Sequence, residues 1–284
     1  QTVLGVHRDR QVLHYQRETF VRWWARRSAG RKVGTGKKAA LFAGCLVNYQ
    51  ATDVGKATVQ VLEKNGVEVA LPDQSCCGMP SFDIGDTAAM VTAAERTITS
   101  LKSWVDQGYD VVIPTPSCSL MVKREYVSLV AGDEAKRVAE HTYDISEYLM
   151  KMKREGGLAL DFTQKPGRVA YQVPCHLRDQ NIGFKSKELM ECAGAKVEVI
   201  EKCSGHDGSW SAKVEFFPLS MKIAQKAVRM VEQAPADLVA SDCPLAGLQL
   251  DQAGAVAHAG GRSSQHPIQI VRDAYGLPRD PRAS

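Results

Sequence analysis

Short apolar runs alternate with longer stretches in which apolar residues recur every three or four positions. Ala39-Ala40-Leu41-Phe42-Ala43 is a run of the kind that forms a strand buried on both faces. Asp53 to Asn65 then carries Val54, Ala57, Val61 and Leu62 at helical spacing, and Gly66 follows where a helix C-cap is expected. Val67 to Leu71 predicts a second strand, Thr87 to Gln107 a long helix closed by Gly108, and Asp110 to Ile113 a third strand. The same order returns after residue 165. Arg168 to Gln172 predicts a strand, a helix through Leu189 and Met190 ends at Gly194, and Lys196 to Ile200 is a second strand. Pro218 to Gln233 is a helix and Asp237 to Ala240 a third strand. Between the two series, residues 119–165 are expected to link them mainly as helix (Met121 to Val130, then Ile145 to Lys153), ending at Gly156-Gly157. His266 to Leu277 predicts a closing helix.

Strand–helix alternation, repeated once, predicts an α/β protein of two pseudo-symmetric duplicated modules. Each is a mostly parallel sheet flanked by helices. The expected division is a basic N-terminal arm and linker over 1–38, a first cysteine-rich module over 39–155 and a second, degenerate one over 166–277.

The cysteines follow the same duplication. Cys45 lies 31 residues before Cys76-Cys77-Gly78, and Cys118 lies 42 after Cys76. Cys175 lies 28 before Cys203-Ser204-Gly205, and Cys243 lies 40 after Cys203. Seven of the eight cysteines thus fall into two equivalent frames, each member just beyond the carboxyl end of a predicted strand. Loops converge there in open α/β sheets, so residues distant in sequence can meet in one crevice. Thiolates favour zinc, Cu(I) and iron–sulfur clusters. The chain has no CxxC knuckle of the common structural-zinc kind and no ferredoxin-type CxxCxxCxxxCP run. An adjacent pair such as Cys76-Cys77 suits neighbouring atoms of a multinuclear centre better than a lone ion, although zinc stays open. Gly78 is expected at positive φ, letting the backbone approach such a centre. The second set keeps three thiols, with His206, His176, Ser204 or a bound substrate as candidate fourth ligand; a remnant that binds nothing is the alternative. His206 beside Asp207 suggests a ligand or proton donor steered by a carboxylate, or simply a solvent-facing turn. Cys192 has no counterpart in the first module and is expected to be a small buried apolar residue.

The 284 residues are 44% hydrophobic and 24% charged, enough for two cores. No apolar run reaches membrane-spanning length, and no secretory signal is visible. A cytoplasmic protein is therefore expected, one in which cysteines are ligands or redox groups rather than disulfides. The chain begins at Gln1 rather than Met, and a preceding segment is an expectation. The net charge of +4 is uneven: residues 1–38 are +8 (Arg8, Arg10, Arg17, Arg22, Arg26, Arg27, Arg31, Lys32, Lys37, Lys38 against Asp9 and Glu18) and the rest −4. Phe20, Val21, Trp23 and Trp24 make this arm partly apolar. A peripheral membrane contact or partner-docking helix fits better than a nucleic-acid tail; a helix tucked against the first module is the equal alternative. Ser28 to Gly36 is expected to be a linker.

Phe42-Ala43-Gly44-Cys45, Cys76-Cys77-Gly78-Met79-Pro80, Thr115-Pro116-Ser117-Cys118, Pro174-Cys175-His176-Leu177-Arg178, Cys203-Ser204-Gly205-His206-Asp207-Gly208, Ser241-Asp242-Cys243-Pro244 and His266-Pro267-Ile268 together resemble the cysteine-rich CCG-domain family. That family includes the B and D subunits of heterodisulfide reductases, the C subunit of anaerobic glycerol-3-phosphate dehydrogenase and the lactate-utilisation iron–sulfur oxidoreductases. The resemblance covers residues 39–277. It implies a [4Fe–4S] cluster, noncubane in the best-equipped members, on Cys45, Cys76, Cys77 and Cys118. A second cluster would use Cys175, Cys203 and Cys243, and His206 is a candidate ligand. It implies no flavin in this chain, and a flavoprotein dehydrogenase or a ferredoxin-type subunit or domain as partner. The expected function is an iron–sulfur electron-transfer subunit of an oxidoreductase complex. It would pass electrons from a flavin dehydrogenase acting on a small hydroxy compound to quinone or another carrier, in the cytoplasm or peripherally at the inner membrane face. A cluster-based thiol/disulfide reductase and a non-enzymatic docking scaffold are the alternatives. The sequence departs from the fullest family pattern at Met121 and Ala246, where the last element is often CxxC, and at Ser204.

Overall fold

A computed structural model describes residues 5–28 and 36–280. Most of the expected linker, with Arg31 and Lys32, lies outside them. After helix α1 (Phe20–Ser28), the first module runs β1 (Lys38–Leu41), α2 (Gly44–Tyr49), α3 (Thr52–Lys64), β2 (Glu68–Ala70), α4 (Met79–Asp83), α5 (Thr87–Val105), β3 (Asp110–Ile113) and α6 (Pro116–Leu120). A π-helical turn (Met121–Glu125), α7 (Tyr126–Leu129), α8 (Asp133–Glu140), β4 (Thr142–Asp144) and α9 (Ile145–Arg154) follow. The second module runs β5 (Arg168–Gln172), α10 (Cys175–Arg178), α11 (Lys185–Cys192), β6 (Lys196–Ile200), α12 (Phe217–Gln233), β7 (Leu238–Ser241), α13 (Pro244–Gln252) and α14 (Pro267–Ala274).

The two sheets have the orders β2-β1-β3-β4 and β6-β5-β7, and every strand pairing is parallel. In each, the first strand is central and the next two flank it on opposite sides. The winding therefore reverses at β1 and at β5, and a crevice opens beyond their carboxyl ends. Ala39, Ala40 and Leu41 in β1, and Val169, Ala170 and Tyr171 in β5, are buried on both faces, which explains their unbroken apolar runs. Gly66 (φ +72°) and Gly194 (φ +87°) take the left-handed conformation that ends α3 and α11, as expected.

Two elements of the linking segment escaped the pattern. β4 has only three residues, too few for a periodic signal. α8 has just Ala135 and Val138 on its buried side. β4 extends the first sheet and has no counterpart in the second among the described residues. The closing helix α14 bridges the modules: Ile270 joins the core of its own sheet with Tyr171, Leu238 and Ala240, while the helix also packs on α3, and Leu189, Ile268, Val271 and Tyr275 join the core that holds Leu41, Val61 and Leu62. Arg272, fully buried, fixes that seam by pairing with Asp53 at 2.7 Å.

The N-terminal arm is not a free tail. His7 N–H donates to Ala212 O at 2.8 Å and the His7 ring stacks on Phe217. Further along, Gln16 N–H donates to Tyr49 O and Gln50 Nε2 donates to Leu13 O, so the segment crosses from the second module to the first. α1 then buries Phe20 and Trp23 against α2 and α3; of its other apolar residues, Trp24 is half-buried and Val21 exposed. Arg26 pairs with Glu18, Arg27 with Glu63 and Lys37 with Glu155, which neutralises part of the basic excess. The packing matches the tucked-helix alternative: the apolar residues a membrane contact would use are turned mostly inward. Among the described residues no helix is long and apolar enough to cross a membrane.

Candidate thiol-rich site

All seven cysteines of the two frames line one cavity of about 610 Å³ between the modules, together with Asp83, Ser117, His176, Ser204, His206, Asp207 and Trp210. Each arrives on a loop leaving the carboxyl end of a strand. Prolines start several of the helices that follow: Pro116 opens α6 and Pro244 opens α13. A proline there is already set to helical φ and gives up an N–H that would have no partner. Cys45 and Cys118 lie in the first turns of α2 and α6, Cys175 begins α10, and Cys243 caps α13. Unpaired backbone N–H groups at helix starts favour the thiolate form.

In the first set the sulfurs form a row. Cys45 Sγ lies 3.7 Å from Cys76 Sγ; Cys76 contacts Cys77, and Cys77 contacts Cys118. Cys77 and Cys118 are buried, whereas Cys45 and Cys76 are half-buried. Hydrogen bonds from Cys45 and Cys77 push the Cys76 thiol well down, and Cys77 does the same for Cys118. Cys45 and Cys77, as donors in those bonds, are pushed up, with burial adding to it. Four adjacent thiols of this kind cannot all ionise without a cationic centre among them. The donor set therefore fits a soft, positively charged group. Among the described residues no three His, Cys, Asp or Glu are disposed to hold a single ion.

Gly44 (φ +65°) is the glycine that meets sulfur: a Cβ there would lie 3.0 Å from Cys118 Sγ. Gly78 does have positive φ (+86°), but the space its missing side chain leaves faces Ala93 and Met90 of α5. The expectation that Gly78 clears room for a bound centre is thus replaced by close helix packing.

In the second set Cys175 and Cys203 are in side-chain contact, so Cys175 is pushed up and Cys203 down, to about 6. The Gly205 N–H also donates to Cys203 Sγ at 3.3 Å. Cys243 lines the same cavity, its thiol pushed up by burial. Ser204 is buried and accepts from His206 N–H. His206 does not sit on an open turn. Burial, with Arg10 next to it, holds its imidazole down at about 4, so it is neutral. Its Nδ1 lies 3.3 Å from Arg10 Nη2 and 3.4 Å from Ser211 Oγ. A guanidinium only donates, so Nδ1 accepts and the ring hydrogen sits on Nε2. Metal ligation through Nε2 would require losing that hydrogen. Arg10 in turn donates to Gln249 Oε1. Along the chain Arg10 is one of the arm's basic residues, and its contact with a loop nearly 200 residues away leaves no local signal.

The two sets are joined directly. Ser117, beside Cys118, is hydrogen-bonded to His176, beside Cys175, at 2.9 Å between Oγ and Nδ1. Gln180 Nε2 donates to Pro116 O and Ser119 Oγ across the same seam. Cys192 stands apart from the cavity: its sulfur lies 3.0 Å from Lys153 Nζ at the end of α11.

Two parallel α/β sheets related by duplication, with cysteine loops converging on one inter-module cavity, define a duplicated thiol-site protein. The chain belongs to the CCG cysteine-rich domain family, whose model matches residues 39–123 and 169–251. It is 31% identical over 255 residues to lactate utilization protein A of Geobacillus thermodenitrificans, covering 84% of this chain and 98% of the relative. It is 27% identical over 275 residues to the C subunit of anaerobic glycerol-3-phosphate dehydrogenase from Escherichia coli, covering 95% of this chain and 67% of that protein. A crystal structure of a hypothetical protein from Helicobacter pylori aligns over 96% of this chain and 53% of that one, at 12% identity and a TM-score of 0.46, a likeness too weak to carry fold or function.

Proposed function

We propose that the protein is an iron–sulfur electron-transfer subunit of an oxidoreductase complex. The observation that carries this is the row of four sulfurs, Cys45, Cys76, Cys77 and Cys118, gathered from three separate loops at one sheet's winding reversal. These four would hold the main cluster, of the [4Fe–4S] type. Cys175, Cys203 and Cys243 would hold a second group with a non-cysteine ligand. Such a cluster, when bound, supplies one-electron transfer at a potential set by charge, hydrogen bonds to sulfur and solvent access. The chain's own contribution is to bring the thiols together, to offer N–H groups at the starts of α2 and α6, and to bury Cys77 and Cys118 while leaving Cys45 and Cys76 nearer the cavity. The Ser117–His176 bond connects the two sets. A dehydrogenase subunit acting on a small hydroxy compound is the proposed electron donor, a reading supported by the naming of the Escherichia coli relative as part of a glycerol-3-phosphate dehydrogenase. The proposed acceptor is quinone or another carrier.

Protein purified without oxygen should carry iron and acid-labile sulfide in equal amounts and show a cluster signal in electron paramagnetic resonance on reduction. Zinc without sulfide would refute the reading.

One observation favours a second activity: both thiol sets open on the same cavity, which has room for a small thiol compound. Reduction of a disulfide there takes two electrons and two protons and yields two thiols. Turnover with reduced viologen that disappears in Cys203→Ala would support it, and unchanged turnover in that variant would exclude it.

A further inference from the structure

We infer that Gln74 and Gln172 are the positioning residues of the two thiol sets, each tying together the loops that carry the cysteines. The inference deepens the iron–sulfur reading, because it names what holds the ligands in register.

Gln74 lies two residues before Cys76, yet its side chain works on the loop of Cys45. Its Oε1 accepts from Ala43 N–H at 2.6 Å and from Gly44 N–H at 3.0 Å, at the N-terminus of α2. Its Nε2 donates to Leu41 O at the end of β1 and to Pro72 O, both at 3.2 Å. One amide thus caps α2, whose own N-cap residue Ala43 has no side chain able to do so, and anchors that cap to β1. The Cys45 and Cys76 loops become one unit, and their sulfurs lie 3.7 Å apart. Gly44 completes the arrangement by letting Cys118 Sγ pass close to the same backbone.

The second module does the same with an amide from a different loop. The residue two before Cys203 is Glu201, which is exposed. Gln172 instead, three before Cys175 and fully buried, donates through Nε2 to Val173 O at 2.9 Å and to Lys202 O at 3.2 Å. Its Oε1 accepts from Ser241 Oγ at 2.9 Å, and Ser241 Oγ accepts from Cys243 N–H at 3.4 Å. The Cys175, Cys203 and Cys243 loops are therefore held by one side chain. Phe42, at the matching place in the first module, has no such groups. A buried amide with all its groups satisfied by three cysteine loops costs much to remove and specifies one arrangement. It keeps the three-thiol set assembled although Ser204 replaces its second cysteine.

The test uses the full chain and two readouts that do not depend on each other. In metal-free protein, mild oxidation with diamide and peptide mapping measure how fast Cys45 joins Cys76. Gln74→Leu should slow that step at least several-fold, and Gln74→Glu, which keeps the accepting oxygen, should recover part of it. Gln172→Leu should likewise slow Cys175–Cys203 joining and leave Cys45–Cys76 unchanged. In protein loaded anaerobically, Gln74→Leu should lower retention of iron against a chelator by roughly 10-fold or more, the usual cost of losing a supporting partner, and shift the paramagnetic signal. Thermal unfolding of the metal-free variants identifies any that fail to fold, in which case Gln74→Glu and Gln172→Glu carry the test. Wild-type joining rates in folded variants would overturn the inference. If no iron binds but the joining rates fall, the positioning role stands and the cluster reading fails.

Discussion

Phe20 and Gly55 offer a test of where α1 sits. Phe20 is fully buried on α1, and a Cβ built on Gly55 of α3 would come within 2.7 Å of the Phe20 ring and of Val47 Cγ1. Ordinary carbon contacts lie at about 3.5–4.0 Å. Gly55→Ala gains about 1 kcal/mol of helix propensity, but overpacking at this distance costs about 1–3 kcal/mol. The net change should be a loss of about 1 kcal/mol. Phe20→Ala should cost about 3 kcal/mol, at the low end for a buried phenylalanine because a terminal helix can settle into the space. In the double variant the ring that the added methyl would strike is gone and only Val47 resists. The pair should therefore be less destabilised than the sum by about 1 kcal/mol, within the range seen for residues in contact. Urea unfolding of metal-free protein, followed by tryptophan fluorescence and circular dichroism, measures all four corners. If Gly55→Ala stabilises the parent and the coupling is zero, α1 is not docked on α3. Its apolar face is then available to a membrane or partner.

Cys76→Ala should abolish iron retention at the first set and remove the stabilisation that a folded-state ligand site gives, whereas Cys192→Ala should leave iron content unchanged; loss of iron in the latter would overturn the ligand assignment. Asp144, fully buried with Oδ2 unpartnered among the described residues, is pushed up to about 8 by burial and by Asp242. Its folded-state value lies above the ordinary one, so the folded protein holds the extra proton, and stability should fall as pH rises from about 4 to about 8. Asp144→Asn should flatten that slope, and parallel stability profiles for variant and parent would refute it. Asp53→Ala leaves the buried Arg272 guanidinium with Asp273 as its remaining carboxylate. It should cost about 3 kcal/mol, the low end for a broken buried pair, with the melting temperature as readout; a loss below about 0.5 kcal/mol would mean that Arg272 is hydrated.

The duplicated α/β order is legible in the residue pattern, because a strand buried on both faces needs an unbroken apolar run and a packed helix needs a 3.6-residue stripe. That pattern also set the two cysteine frames, since a winding reversal delivers loop residues to one crevice whatever lies between them. What it left open depended on distant partners. β4 and α8 are too short to show a period. The place of α14 against α3 was decided by burying Ile268, Val271 and Arg272, and a matching surface leaves no mark in either segment alone. Gln74, Gln172 and Arg10 look like ordinary polar residues along the chain, because a hydrogen bond to a backbone 30 or 200 residues away has no periodicity. Only the tertiary structure placed both thiol sets on one cavity and joined them through Ser117 and His176, since the docking of the modules, not the repeat within each, sets the distance between their loops.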